Sequence, residues 1–223
     1  MTKAPVPQIV AVIFSRADLQ RALRLRNPPD LFELRLDAWG AKADEAQRAI
    51  GKLPAPLIIT AREPREGGAN ALSLRQRRDL LLQFLPHAAY LDIELRSARG
   101  LAPLLKQARA REIRTILSVH DLTKTPARAR LHSMAHTAHS LGADIFKVAT
   151  RTDTRAELQR LLDLFELQHA KMKIAVMGIG RFGRISRVES ARRGAALSYV
   201  HLGEPQAAGQ LSLTQIRRAL SQI

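Results

Sequence analysis

The feature of this sequence that most constrains its fold is the alternation of short apolar runs with segments of helical spacing. An apolar run at residues 8–14 comes first, and a segment with helical spacing follows it at 16–26. Strands that alternate with helices predict right-handed crossovers and a parallel sheet. Eight such units follow one another without a linker. The sequence therefore predicts an α/β fold, a single (β/α)8 TIM barrel over residues 1–223, with an open doubly wound sheet as the alternative.

The other predicted elements follow from the same two patterns. Strands are predicted at residues 30–36, 56–60, 88–95, 113–119, 143–150, 173–177 and, more weakly, 197–202. Helices are predicted at residues 43–52, 73–85, 101–111, 126–141, 155–169, after 186, and 213–220. The chain is short for a barrel of this kind, so its loops are expected to be lean.

The charge balance limits the classes of partner. The chain has 36 lysines and arginines against 20 aspartates and glutamates, a formal net charge of +16 at pH 7. Such a field attracts anions, among them nucleic acid, acidic lipid and small carboxylates. The basic residues are scattered, and aromatic residues make up only 4% of the chain. The charge alone does not say which of these anions is the partner, but scattered charge and few aromatic residues make a basic nucleic-acid-binding protein the weaker interpretation.

Cysteine content and hydropathy bear on the expected compartment. The sequence contains no cysteine, which excludes disulfides and thiolate metal sites and permits a reducing compartment. Residues 1–7 lack the apolar stretch of a signal peptide, and no run approaches the ~18 apolar residues of a membrane-spanning helix. The cytoplasm is the expected location, with no membrane partner.

Charged side chains recur where the predicted strands end, which is where a barrel of this type carries its reactive groups. By alternation, Glu33, Arg35 and Asp37 share one side of the second strand and are expected to point into the barrel. Further strands bring more charged side chains to the same rim: Arg62, Asp92, Glu94, His120, Asp121 and Lys147. Because buried charges are costly unless they are paired, a shared polar pocket is the simplest explanation.

Lys147 stands among apolar residues in the strand predicted at 143–150. Burial disfavours the ammonium form of a lysine, and a neutral lysine amine is a nucleophile that forms a Schiff base with a ketone. The competing interpretation is a strand-end lysine whose amine reaches water. The other residues of the pocket decide between the two.

An ordered set of short motifs resembles the type I 3-dehydroquinate dehydratases, the Schiff-base enzymes of the shikimate pathway. The motifs occur in the family order, at residues 33–37, 60–62, 66–68, 92–94, 118–121, 125–126, 143–149, 177–178, 186–187 and 209–210. No single motif is decisive, but the ordered set is highly specific. The resemblance implies a barrel lyase that dehydrates 3-dehydroquinate to 3-dehydroshikimate, and it implies a homodimer.

The resemblance also implies roles for the matched residues. Lys147 is expected to form the imine, His120 to act as general base and then general acid, and Glu94 to hydrogen-bond His120 and fix its tautomer. Arg187 is expected to pair with the substrate carboxylate, a geometry suited to a guanidinium group. The residues expected to hold the ring hydroxyls or to lie on the lid are Glu33, Arg35, Arg62 and Gln210. Neither a metal nor a cofactor is required.

Two departures from the family pattern concern the lid. Gln206 stands where the family has a serine that contacts the carboxylate, and Ala208 stands where it has a proline. A glutamine still donates a hydrogen bond but is longer, and a lid without the proline is less rigid. Substrate affinity, rather than the chemical step, is the property expected to differ. The loop before Arg187 is also a residue or two longer than is usual in the family, which bears on where Arg187 lies.

A glycine pattern favours a different site when it is taken alone. Gly178, Gly180 and Gly183 form a G-x-G-x-x-G after a strand, the pattern of a dinucleotide site. Only 40 residues follow Gly183, too few for the remaining strands of such a domain. A flexible loop that delivers Arg187 to the pocket is the favoured interpretation.

A histidine stripe is the second such pattern. His132, His136 and His139 fall on one face of a predicted helix, where two histidines can bind zinc. No glutamate follows His132 as a zincin requires, so a partly exposed polar stripe is the favoured interpretation.

Two other enzyme interpretations remain open. One is another Schiff-base barrel lyase, such as an aldolase, and the expected pairing of His120 with Glu94 beside the lysine argues against it only through the resemblance. An inactive relative of the dehydratases is the other, and the retained Lys147, His120 and Glu94 argue against that.

Overall fold

The computed structural model describes residues 5–221, in which every one of the first seven strands is followed by a helix. The strands are β1 (Gln8–Ile13), β2 (Leu31–Arg35), β3 (Leu57–Thr60), β4 (Tyr90–Glu94), β5 (Arg114–Asp121), β6 (Ile145–Arg151), β7 (Lys173–Ile179), β8 (Leu197–His201) and β9 (Leu211–Ser212). The helices are α1 (Arg16–Leu23), α2 (Leu36–Trp39), α3 (Ala43–Ile50), α4 (Leu74–Phe84), α5 (Ala102–Ala110), α6 (Arg128–Ser140), α7 (Arg155–Gln168), α8 (Gly183–Arg192) and α9 (Leu213–Leu220).

The strands form one parallel sheet in the order β7-β6-β5-β4-β3-β2-β1-β8-β9. Strand β1 pairs with both β2 and β8, so the first and last strand–helix units are neighbours. Strand β7, at the other end of the order, also approaches β8. The N–H of Ala196, just before β8, donates a hydrogen bond of 2.9 Å to the carbonyl of Ile174 in β7. The sheet therefore curls strongly back on itself, which confirms the barrel prediction over the open doubly wound sheet.

Alternate residues along the strands bury two separate apolar layers. One layer joins the strands to helix residues such as Leu19, Phe84 and Phe165. The other layer has only strand residues among its fully buried members, so it fills the barrel. Lys147 is in phase with the inner layer, because Ile145 and Ala149 lie two residues to either side of it in β6. Its side chain therefore points into the barrel.

Two boundaries near the pocket differ from the prediction. Strand β2 ends at Arg35, and Asp37 lies in α2, so Asp37 does not share the inward side of the strand with Glu33. Asp37 is held outside the strand because its carboxylate accepts hydrogen bonds from Arg35 Nε and Nη2 and from the Arg62 N–H. Helix α8 begins at Gly183, earlier than predicted.

Four of the helices, α1, α4, α7 and α9, begin with a capping box. The Ser73 hydroxyl accepts a hydrogen bond from the Gln76 N–H, and the Gln76 side chain accepts one from the Ser73 N–H. This capping box starts α4 at the predicted place. The longest helix, α7, has 14 residues, and none of the helices between residues 5 and 221 combines the length and apolarity needed to cross a bilayer.

Candidate active site

Lys147 lies at the centre of a buried polar cluster near the C-terminal ends of the strands. Its Nζ is 2.9 Å from Asp92 Oδ2 and 3.2 Å from Glu33 Oε1, and it lies 3.8 Å from the centroid of the Tyr199 ring. Only 3% of Lys147 is exposed, so the amine does not reach bulk water as the competing interpretation required. Two carboxylates and an aromatic face stabilise an ammonium group. The sequence predicts a neutral amine from burial alone, whereas the structure also places two carboxylates and an aromatic ring beside Lys147.

Arg62 joins the carboxylates of this cluster. Its Nη2 lies 3.1 Å from Asp92 Oδ2, and its Nη1 lies 2.8 Å from Glu94 Oε1. The same Nη1 donates to Ser118 Oγ at 2.7 Å, and Ser118 Oγ donates to Asp92 at 2.6 Å. Although burial opposes ionisation, the charges of Arg62 and Lys147 lower the pKa of Asp92. The buried charges are thus paired, which is the condition for their stability inside a barrel.

His120, at the end of β5, is paired with Glu66. Glu66 Oε2 accepts a hydrogen bond of 2.8 Å from the His120 N–H and lies 3.2 Å from the ring Nδ1. An ionised carboxylate only accepts hydrogen bonds, so we assign the ring proton to Nδ1, which leaves Nε2 as the base. Burial, together with the charges of Arg62 and Lys147, lowers the pKa of His120 well below its usual value. The imidazole is therefore neutral near pH 7 and able to accept a proton.

Glu94 is occupied by two arginines, and the predicted hydrogen bond from Glu94 to His120 is wrong. Glu94 Oε1 accepts from Arg62 at 2.8 Å, and Glu94 Oε2 accepts from Arg77 at 2.7 Å. Arg77 reaches in from α4 and is only 1% exposed. Charge-assisted bonds to guanidinium groups are strong, and here they use both carboxylate oxygens. Glu94 therefore holds Arg62 in place instead of orienting the imidazole.

Glu66 is positioned by the segment that connects β3 to α4. The carboxylate of Asp37 accepts hydrogen bonds from the Arg62 N–H at 3.1 Å and from the Ala69 N–H at 2.9 Å, so it joins the backbone before and after Glu66. Burial raises the pKa of Glu66 to about 7. The partner of His120 is thus a carboxylate that changes its charge near neutral pH.

Arg187 faces the same cavity from α8. It is 6% exposed, and no carboxylate within residues 5–221 lies at ion-pair distance from it. Its Nη1 contacts Met177 Sδ at 3.4 Å and the Tyr199 carbonyl oxygen at 3.3 Å. Burial lowers the pKa of Arg187 to about 10, so the group is still charged at pH 7. A buried cation without an acidic partner is costly, and this geometry suits an anionic group on a ligand.

The structure brings eight of the nine predicted site residues to one cavity of about 160 Å³. These eight are Glu33, Arg35, Arg62, His120, Lys147, Arg187, Gln206 and Gln210. Glu94 lies behind Arg62, away from the cavity. The arrangement combines a lysine amine, a neutral imidazole and an unpaired cation, which suits imine chemistry on a small carboxylate.

Comparison with known proteins supports this interpretation. Residues 10–223 match the sequence profile of the type I 3-dehydroquinases. The chain belongs to this family. It is 30% identical over 212 residues to a 3-dehydroquinate dehydratase from Thermodesulfovibrio yellowstonii, with 93% of this chain and 92% of the relative covered. It is 32% identical over 204 residues to one from Desulfotalea psychrophila, with 89% of each chain covered. A solved structure of 3-dehydroquinate dehydratase from Enterococcus faecalis has a TM-score of 0.85 and 27% identity, covering 100% of this chain and 96% of that one.

The glycine pattern of this type I 3-dehydroquinase serves close packing. A Cβ on Gly178 would lie 2.9 Å from Ser186 Oγ, and one on Gly183 would lie 2.6 Å from the Ala208 carbonyl oxygen. The Gly178 N–H donates to Ser186 Oγ at 2.7 Å. These contacts pack α8 against β7 and the lid and so position Arg187. They leave no room beside Gly183 for the phosphate of a dinucleotide.

The segment predicted to be the lid lies between β8 and β9. The Gln206 N–H donates to Gln210 Oε1 at 2.7 Å, and Gln206 Nε2 donates to the Glu204 carbonyl at 3.0 Å. Both glutamines line the cavity, but the Gln206 side chain is turned toward the lid backbone. These hydrogen bonds join residues within the predicted lid, and its lower rigidity without the family's proline at Ala208 stays a prediction.

The histidine stripe lies away from this site, on α6. His132, His136 and His139 line a separate cavity of about 240 Å³, and Gln168 Nε2 contacts His132 Nδ1 at 3.0 Å. In the chain from residue 5 to residue 221, no group of three or more histidine, aspartate or glutamate side chains is placed to hold a metal ion.

Sequence reasoning missed three members of the site. Glu66 belonged to a matched motif, but its carboxylate was given no role, although a carboxylate four residues after Arg62 was the available signal. Tyr199 lies in β8, the strand that the sequence predicts only weakly, and it was given no role. Arg77 was one of many arginines on helix surfaces, and nothing in its local sequence marks it as buried.

Proposed function

We propose that this chain dehydrates 3-dehydroquinate to 3-dehydroshikimate through an imine at Lys147. The observation that carries the proposal is the cavity in which Lys147 lies beside a neutral His120 and a buried Arg187 without an acidic partner. The substrate is a cyclic hydroxy-ketone with a carboxylate, and each of these groups meets a complementary side chain.

Substrate binding is assigned to the cationic and polar wall. Arg187 pairs with the carboxylate, because its charge is buried and uncompensated in the free enzyme. Glu33, Arg35 and Arg62 line the opposite wall and hold the ring hydroxyls. Gln206 and Gln210 close the cavity from the lid.

Imine formation begins when Lys147 loses a proton. Glu33 and Asp92 flank the ammonium and are the nearest acceptors for that proton. The neutral amine adds to the ketone carbon, and the resulting carbinolamine loses water to leave a protonated imine. The positive nitrogen then withdraws electrons from the neighbouring carbon and makes its C–H bond acidic.

Elimination is assigned to His120. Its Nε2 removes the proton next to the iminium carbon, and the bonding electrons pass to the imine nitrogen to form an enamine. The enamine expels the hydroxyl group one carbon further on, and the imidazolium returns its proton to that oxygen as water departs. Water then hydrolyses the conjugated iminium, which releases the enone and Lys147. The water lost in imine formation is regained here, so one water is lost overall.

Borohydride trapping tests the proposal. Reduction in the presence of 3-dehydroquinate, followed by peptide mass mapping, should place one substrate-derived mass on Lys147. Lys147→Ala should lose the adduct, and Lys173→Ala, an exposed lysine in β7, should keep it. A mass on another lysine contradicts the assignment.

The His120→Ala variant separates imine formation from elimination. It should still form the imine but lose elimination. Growth of ultraviolet absorbance from the conjugated enone distinguishes dehydration from aldol chemistry.

We also propose that the chain forms a homodimer, as the family resemblance implies. Sedimentation equilibrium tests this directly, and a single species at the 24.8 kDa mass of one chain would contradict it.

A further inference from the structure

A second cavity, of about 630 Å³, lies outside the barrel beside the His120–Glu66 pair. It runs between α6 and the turns that follow β3, β4 and β5, and we call it the outer groove. It shares only Glu66, His120 and Leu122 with the cavity that holds Lys147. Its volume lies within the range of about 300–1,000 Å³ that is typical of small-molecule sites. The outer groove is therefore large enough for a ligand of its own.

The polar side of the outer groove is cationic. Four arginines line it: Arg65, Arg96, Arg99 and Arg130. Arg96 Nε lies 3.9 Å from Glu66 Oε1, and the other three form no ion pair with any carboxylate of residues 5–221. Asp121, also on this wall, is occupied by hydrogen bonds from the N–H groups of Thr123 and Lys124. Positive charge in the outer groove is thus left uncompensated, which favours an anion.

The lining of the outer groove also includes apolar side chains. Leu95, Met134 and Leu141 are among them, and Leu122, with 47% of its surface exposed, is another. An inorganic ion leaves such a surface uncovered, whereas a ring or chain covers it and gains from the burial. The lining therefore fits a ligand that carries both an apolar ring and an anionic group.

We propose that the outer groove binds a small organic anion, with an apolar ring and a carboxylate or phosphate group, and that this ligand acts on the His120–Glu66 pair through Arg96. Glu66 divides its oxygens between the two sites, with Oε2 on His120 and Oε1 toward Arg96. The binding stands by itself, whereas its effect on catalysis rests on the proposed function.

The direction of the effect follows from the charges around Glu66. Arg62, Arg96, Glu94 and His120 are the ionisable groups that face it. A bound anion engages Arg96 and adds negative charge nearby, so it disfavours the ionised form of Glu66. Because the ionised carboxylate keeps the proton on His120 Nδ1, the anion inhibits below neutral pH and has little effect well above it.

Calorimetric titration with phenyl phosphate, benzoate and benzyl alcohol tests the binding. Phenyl phosphate and benzoate represent the two anionic groups, and the neutral alcohol should not bind. The double variant with Arg99→Gln and Arg130→Gln should weaken binding of the preferred anion by about tenfold or more, since it removes two cations able to form charge-assisted hydrogen bonds. Arg155→Gln, an exposed arginine at the start of α7, is the matched control and should change affinity less than about twofold.

Two results overturn the binding proposal. Loss of binding in Arg187→Ala, with full binding in the Arg99 and Arg130 double variant, places the anion in the cavity of Lys147. Equal affinity for benzyl alcohol and benzoate shows that the charge is not recognised.

The coupling has its own test. Saturating anion should move the low-pH limb of the kcat/KM profile of the whole enzyme to higher pH, and Arg96→Gln should reduce this movement while binding through Arg99 and Arg130 persists. Inhibition that is competitive and independent of pH contradicts the coupling. Failure of the borohydride adduct on Lys147 removes the proposed function but leaves the calorimetric result intact, so the two failures are distinguishable.

Discussion

The Nζ of Lys147 lies 3.8 Å from the centroid of the Tyr199 ring, so the atom proposed to become the iminium nitrogen already faces an aromatic surface. The hydroxyl of the same tyrosine is buried, with no hydrogen-bond partner in the described part of the chain. The ring and the hydroxyl of Tyr199 therefore have separate consequences, and two substitutions separate them.

Tyr199→Leu should lower kcat by about tenfold or more, because a desolvated cation–π contact contributes about 2 kcal/mol to a cationic intermediate. Tyr199→Phe keeps the ring face and should keep most of the activity. Its free energy of unfolding should stay the same or rise, because an unpaired buried hydroxyl is removed. Steady-state kinetics and urea denaturation measure both effects, and equal loss of activity in the two variants would contradict the cation–π explanation.

The pH dependence of the reaction should follow Glu66. Its pKa is raised to about 7 by burial, while the pKa of His120 is held well below its usual value. The imidazole is thus neutral throughout, and kcat/KM should rise between about pH 6 and pH 8 as Glu66 ionises and orients it. Glu66→Gln should lose this rise and about 10²-fold of the rate. An unchanged profile in Glu66→Gln speaks against the pairing.

Stability should depend on pH through the same residue. Burial raises the pKa of Glu66 to about 7 in the folded state, above its ordinary value of 4.5, so the folded state binds more protons between these values and loses stability as pH rises. Glu66→Gln should therefore raise the free energy of unfolding above pH 7 by about 3 kcal/mol at most. The gain should vanish below about pH 4.5. Denaturation at several pH values measures this, with Glu204→Gln, an exposed carboxylate, as the control.

Arg187 should lower the stability of the folded protein and strengthen substrate binding. Its charge is buried without an acidic partner and its pKa is lowered, so at neutral pH the folded state carries the full cost of holding it. Arg187→Met should raise the free energy of unfolding by about 1–3 kcal/mol and raise KM by at least about tenfold. Loss of stability together with an unchanged KM contradicts this role.

Arg77 is the matched opposite case, a buried arginine that is paired. Its Nη1 donates to Glu94 at 2.7 Å, and its Nη2 donates to Ser97 at 3.0 Å. Arg77→Met should leave Glu94 partly uncompensated and lower the free energy of unfolding by about 3–5 kcal/mol. Chemical denaturation of the two methionine variants side by side should therefore give changes of opposite sign.

Several parts of the structure were predictable because their causes are local. The alternation of apolar runs with helical segments sets the strand–helix order, and Ser73 with Gln76 sets the start of α4 within four residues. The two-residue period of a strand places Lys147 on the inward side of β6, in phase with Ile145 and Ala149.

The predictions failed where a side chain contacts residues that are distant in the sequence. Asp37 continues the alternation of β2, yet hydrogen bonds from Arg62 and Ala69 hold it in α2. Glu94 ends β4 and was the only carboxylate predicted to pair with His120, whereas Glu66 lies in the turn six residues after the end of β3. Glu94 is taken by Arg62 and Arg77, and Glu66, 54 positions before His120, is left to pair with the imidazole.

The sequence by itself determined the barrel and the identity of the residues at its rim, because period and motif order are properties of neighbouring positions. Only the tertiary structure decided which rim charges are paired, that Arg187 has no acidic partner among the described residues, and that Glu66 titrates near pH 7. Pairing and desolvation depend on distances between strands, and these distances exist only once the sheet has closed.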